Sequence, residues 1–226
     1  MVKQINTWQE DFSSIAEYLS LPENLLRGFT ATEALDGNIR FELHDATIAY
    51  WLTALVHHQL SLERVQPSSS FSPDPHRLFA IQHAHARCCS LLRHGQQEEV
   101  SSLSTDFFNE PDRQGEGFIN PPAIPWLDPH DLLYLTHPTE RQLIVQLLTV
   151  LDFAAETPSA PTKQYFVLAE KVSAAFQEVH RSCQLFGAFL KSSGDRFQAH
   201  MGLILATQRV LWQLLQSLTL IAPFDL

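Results

Sequence analysis

The sequence predicts an all-α fold, and three observations lead there. Apolar residues recur at steps of three and four, alternating runs are nearly absent, and Pro-marked breaks divide the chain into helix-length pieces. Together they describe a bundle of long helices joined by Pro-marked turns, with a small helical N-terminal region.

Taken in order, Trp8, Phe12, Ile15, Ala16 and Leu19 form a short amphipathic stripe, and Pro22 suits the opening of a next helix. Asn38 to Leu43 (NIRFEL) is the best strand candidate, although it is short enough to pair only weakly. Ala46 to Leu62 reads as an apolar helix that ends before the Ser/Pro stretch Arg64 to Pro75. Beyond it, Leu78, Ile81, His85, Cys88 and Leu92 lie on one helical stripe. Gly95 to Pro125 is long and polar, the mark of a functional excursion or a lid. Leu143, Leu147, Leu148 and Leu151 form the next stripe. Pro138 stands at its first position, and Glu140 sits where a carboxylate meets free N–H groups. Ala169, Val172, Phe176, Val179, Cys183 and Phe186 make a third stripe. Met201, Ile204, Leu211, Leu215 and Leu218 make a fourth, which stops at Pro223. No repeat with a period of roughly 20–50 residues is visible. The expected organisation is a helical region over 1–63, a Ser/Pro linker over 64–75 and a helical domain over 76–226.

Bulk composition narrows the function classes. The chain has 226 residues, 45% of them hydrophobic, enough for one sizeable core. Its formal net charge is −10, against the basic footprint usual for nucleic-acid binders, although a local basic strip is compatible with that total. Cys88, Cys89 and Cys183 are odd in number and lack CxxC spacing, so they read as reduced, buried thiols. No apolar leader follows Met1, and no apolar run approaches the ~20 residues that cross a bilayer. The expectation is a cytoplasmic protein with no membrane partner.

Chemistry-bearing patterns are scarce. His83 and His85 are two apart and face different ways on a helix, and His57 and His58 are adjacent, so neither pair has metal-ligand spacing. GxSxG, GxxxxGK[ST] and GxGxxG are all missing, and Glu98–Glu99 falls in a polar run. Cys183 lies on an apolar stripe, where a thiol is inert. No catalytic residue, metal or cofactor is expected.

One string is distinctive. Ala80 to Arg93 (AIQHAHARCCSLLR) resembles the YLQYAHARICSIL segment that opens the DALR anticodon-binding domain of arginyl-tRNA synthetases, sharing Gln82, Ala84, His85, Ala86, Arg87, Cys89, Ser90 and Leu92. Leu135 to Leu148 resembles the family's Leu-x-x-x-x-Glu-x-x-Leu helix, and Gln164 to Gly187 its long helix ending Cys-Arg-Val-Leu-Gly. Ala199 to Pro223 is similar to the final helix, down to the terminal Ala222-Pro223. There are departures. His83 replaces the Tyr of YAHAR, Val179 and His180 stand where the family has Phe-Tyr, and Phe224-Asp225-Leu226 replaces Glu-Arg-Met.

The resemblance implies an anticodon-binding-domain-like bundle that binds tRNA or structured RNA. With neither a HIGH-like nor a KMSKS-like motif in the chain, the expected protein is stand-alone and does not aminoacylate by itself. Two alternatives stay open: an acidic protein-interaction module, or a trans-acting part of an arginine–tRNA ligase. The RNA-binding candidates are His83, Arg87, His180, Arg181, Gln184 and Phe224. His180, Arg181 and Gln184 are taken from the helix region that faces RNA in the family. Off its apolar stripe, Arg87 suits a phosphate or an ion pair within the bundle, His85 reads as a satisfied core histidine, and Phe224 suits a stacking surface or a plug over the core.

Overall fold

The computed structural model describes residues 28–33, 39–58, 60, 62, 72–97, 123–156, 161–183 and 194–225. The stripe from Trp8 to Leu19, Pro22, Gln184, Phe186 and most of the two long loops lie outside those residues.

Two strands come first, β1 (Phe29–Glu33) and β2 (Ile39–Leu43), paired antiparallel with Phe29 opposite Leu43 and Glu33 opposite Ile39. The NIRFEL candidate thus forms a strand, and its partner over 29–33 is an element that the sequence reading did not isolate. His44 N donates to Gly28 O at 2.8 Å and Thr47 Oγ1 donates to the same oxygen at 2.9 Å, which ties the hairpin to the helix that follows.

That helix, α1 (Asp45–His57), buries Thr47, Ala49, Leu52, Leu55 and Val56. It ends five residues before the expected Leu62. The backbone turns extended at His58, and Leu60 N donates to the Gln213 side chain at 2.6 Å rather than to its own helix. A tertiary bond takes the place of the next helical one.

Four longer helices follow among the described residues: α2 (Pro75–Gln97), α3 (Pro138–Glu156), α4 (Thr162–Ser182) and α5 (Gly194–Ser217). The four sequence stripes turn inward: Ile81, His85, Cys88 and Leu92 of α2, Leu143 and Leu147 of α3, Val172, Phe176 and Val179 of α4, and Met201, Ile204, Leu211 and Leu215 of α5 are all buried. Helix α5 is the axis. It packs against α1, α2, α3 and α4, and 17 of its residues are buried, so it has almost no solvent face. Gly202 allows a close approach, because a Cβ there would meet Trp126 at 2.7 Å and Ile124 at 2.8 Å. Trp126 in turn donates its indole N–H to Thr53 Oγ1 at 2.9 Å and links α1 to the segment lying over α5.

Helix starts are chemically determined. His137 is the N-cap of α3: Glu140, at the third helical position, accepts from His137 N at 2.9 Å, the reach-back half of a capping box. At the other end of the bundle, α5 closes in a Schellman motif. Leu220 N donates to Leu215 O at 2.9 Å and Thr219 N to Gln216 O at 3.0 Å, with Thr219 at φ 56°.

Candidate nucleic-acid interface

Helical spacing puts Phe79, His83 and Arg87 in one row along α2, four residues apart, and all three are exposed. The Phe79 and His83 rings lie 6.0 Å apart. Helix α4 presents a matching row. Phe176 is buried, and His180, one turn on, stacks over it with ring centres 6.3 Å apart and planes 11° from parallel. Between the rows runs an open groove lined by His83, Arg87, Phe176, Gln177, His180 and Arg181. No carboxylate is among these lining residues, although the chain as a whole is strongly acidic.

Arg87 Nε donates to His180 Nε2 at 3.3 Å, so the His180 ring accepts at Nε2 and carries its proton on Nδ1. That Nδ1 is buried and has no hydrogen-bond partner among the described residues. Burial first, and then the charges of Arg87 and His83, push the His180 pKa below its ordinary value. Among the described residues no carboxylate pairs with Arg87, and its hydrogen-bond partner within the bundle is the His180 imidazole. Arg181 points outward, paired with Glu178 at 3.2 Å.

Four of the six candidates therefore share one groove. Phe224 does not. It lies on the α5-facing side of α2, with its ring edge-on to His85 at 5.9 Å, and is half-exposed. It caps the buried His85. Gln184 lies outside the described residues. Sequence reading passed over Phe176, Gln177 and Phe79. Phe79 and Phe176 stand four residues before His83 and His180, so the i,i+4 rule was the signal that could have found them.

His85 is a core histidine with both nitrogens satisfied. Nδ1 donates to Pro223 O at 2.8 Å and Nε2 accepts from Gln208 of α5 at 3.0 Å. Burial pushes its pKa down to about 4, so it is neutral near pH 7. Gln82 donates to Ile221 O at 2.8 Å and Arg93 to Phe224 O at 3.2 Å, so three side chains of α2 hold the C-terminal strap in place. A second polar cluster joins three helices: Glu140 of α3 contacts His200 of α5, and Cys183, at the end of α4, donates to the same carboxylate at 3.6 Å. Burial pushes the Cys183 thiol up, and Cys89 is pushed up to about 12 by its own burial. Neither is an activated nucleophile.

The family profile described as the DALR anticodon binding domain matches residues 81–225, which take in most of α2, all of α3, α4 and α5, and the strap. The chain belongs to the DALR anticodon binding domain family. Two similar curated proteins are both described as arginine–tRNA ligase. The one from Synechococcus sp. (strain JA-3-3Ab) is 31% identical over 140 residues, covering 61% of this chain and 20% of that protein. The one from Gloeobacter violaceus is 29% identical, covering 59% of this chain and 20% of its own. This chain thus spans about a fifth of the length of those relatives. The hairpin and α1 precede the DALR match, and α1 is packed on the DALR helix α5. No helix among the described residues is long and apolar enough to cross a membrane.

Proposed function

We propose that this DALR-domain protein binds tRNA or structured RNA through the α2–α4 groove and does not aminoacylate it. The observation that carries the reading is that Arg87, Arg181, His83 and His180 line one groove with Phe176, with no carboxylate in the lining. Guanidinium groups hold phosphates, and exposed rings such as Phe79 and His83 give unpaired bases a surface to stack on. The binding unit is residues 76–226, joined through 64–75 to the N-terminal region, and its setting is the cytoplasm. Gln184 is kept as a flanking contact, and Phe224, on the other side of α2, as a contact outside the groove.

A mobility shift with total tRNA at low salt tests this. Binding at micromolar protein is expected, with an affinity that falls as salt rises, because each phosphate contact releases counterions. Arg87→Ala is expected to weaken binding and to make the log–log salt slope shallower by about 0.7, the single-strand value per phosphate. No shift at micromolar protein in low salt overturns the reading. That result would favour the alternative of an acidic protein-interaction module, which draws on the net charge of −10. A trans-acting role in an arginine–tRNA ligase is tested separately, by adding this chain to a synthetase that lacks its own anticodon-binding domain. No gain in arginylation disposes of that role.

A further inference from the structure

We infer that the α2–α4 groove is a proton-linked anion site, in which His180 takes up a proton when an RNA phosphate takes over the hydrogen bond that Arg87 now gives it. The inference rests on the RNA-binding reading and adds a regulator to it.

Three features of the geometry lead here. First, Arg87 spends its Nε–H on His180 Nε2 at 3.3 Å, a long bond to an acceptor that carries no negative charge. A phosphate oxygen is the better partner for a guanidinium, so an anion entering the groove competes well for Arg87. Second, once Arg87 turns away, Nε2 loses its donor. The freed lone pair then takes a proton from solvent, which leaves an imidazolium with Nε2–H directed at the same anion. Before that exchange a proton on Nε2 would face the Arg87 donor head-on, so the two events are mutually dependent. Third, the surroundings of His180 disfavour charge in the unbound state and favour it in the bound one. His83 and Arg87 face it from α2, and Phe176 stacks beneath it. On α4 itself Arg181 is adjacent and is paired with Glu178. Three residues on, Cys183 donates to Glu140 of α3, which also contacts His200 of α5. The two nearest groups on α2 are cationic or basic, and an anion between the helices screens both. Its arrival reverses the sign of the local field.

Linkage then sets the direction: if the complex binds more protons than the free protein, affinity rises as pH falls. One proton limits the effect to at most tenfold per pH unit, and the onset lies near the ordinary imidazole range.

The test measures binding of labelled total tRNA by anisotropy at constant ionic strength, for the full chain and for His180→Gln. Between about pH 7.5 and about pH 5.5 the wild-type affinity is expected to rise about tenfold, and that of the variant at most about threefold from the remaining histidines. Calorimetry in two buffers of different ionisation enthalpy should show net proton uptake on binding by the wild type, reduced in the variant. Equal pH ratios and equal proton uptake in the two proteins overturn the inference while leaving RNA binding intact. No binding at either pH overturns both.

Discussion

His85 illustrates how a buried polar residue acts in this molecule. Its ring is fully buried, one nitrogen donates to the strap at Pro223, and the other accepts from α5 at Gln208. The neutral ring satisfies both partners, whereas a protonated one would set Nε2–H against the Gln208 amide. The unfolded chain takes up a proton near the ordinary imidazole value of 6.5, and the folded chain does so only near 4. Across that interval the unfolded state holds more protons, so stability falls as pH drops from 6.5 towards 4 and is level above 6.5. The loss is expected to reach about 3 kcal/mol, at ~1.4 kcal/mol per pH unit. Urea unfolding of the wild type and of His85→Gln, followed across that range, measures it. The variant should be less stable near pH 7 but lack this part of the pH dependence.

At the scale of elements, the ends of the helices show which local rules hold and which give way. The start of α3 obeys them: Pro138 opens the helix, and Glu140 reaches back to His137 N. The end of α5 does not. Thr219 occupies the left-handed position of a Schellman motif at φ 56°, where a β-branched residue is strained and glycine is preferred. Its hydroxyl donates to Leu218 O at 2.7 Å, a small compensation. Thr219→Gly is expected to stabilise the fold by about 0.5–1 kcal/mol, read as a higher melting temperature, because the ~1–2 kcal/mol cost of the left-handed conformation exceeds the entropy that glycine loses. An unchanged or lower melting temperature would mean that the hydroxyl bond outweighs the strain. Helix α1 ends at His57 for a reason that no local rule contains, since Gln213, 153 positions away, supplies the acceptor for Leu60 N.

For the whole molecule, two of the polar ties between helices show how the bundle is held together. Asp45, at the start of α1, takes both guanidinium nitrogens of Arg141 at 2.8 and 3.0 Å and also accepts from Leu133 N. The hydrogen bond from Arg141 holds its carboxyl below the usual range. Glu140 joins α3 to α5 through His200 and to the end of α4 through Cys183, with both Glu140 and His200 almost wholly buried. Both nitrogens of His200 face oxygens, Glu140 on one side and Arg196 O at 2.7 Å on the other. Burial pushes the Glu140 carboxyl up, but the contacts with His200 and the other donors outweigh it and hold it below its ordinary value. This contribution is present above the ordinary carboxylate range and is lost as pH falls through the folded value. Glu140→Gln is expected to cost about 3 kcal/mol by chemical denaturation near pH 7, because it sets an amide N–H group among the buried donors that now share the carboxylate. A loss below about 1 kcal/mol would show that the pair contributes little beyond its hydrogen bonds.

What could be read from the chain alone follows the range of its patterns. Three- and four-residue spacing located α2 through α5 and the faces they bury, because a helix's periodicity is local and burial follows from it. The string around His85 marked the family, since its shared residues include Ala84, His85, Ala86, Cys89 and Leu92, which are buried in the bundle. The groove was legible only in pieces. His83, Arg87, His180 and Arg181 were each picked out, but nothing in the chain joins Arg87 to His180, 93 positions on. Phe224 fell on the far side of α2 from them, because the strap is held there by His85 and Arg93. The ring stack on Phe176, the partnerless nitrogen of His180 and the end of α1 were all decided by tertiary structure. They depend on which faces meet, and the crossing of two helices is determined by packing over the whole core rather than by either helix's own sequence.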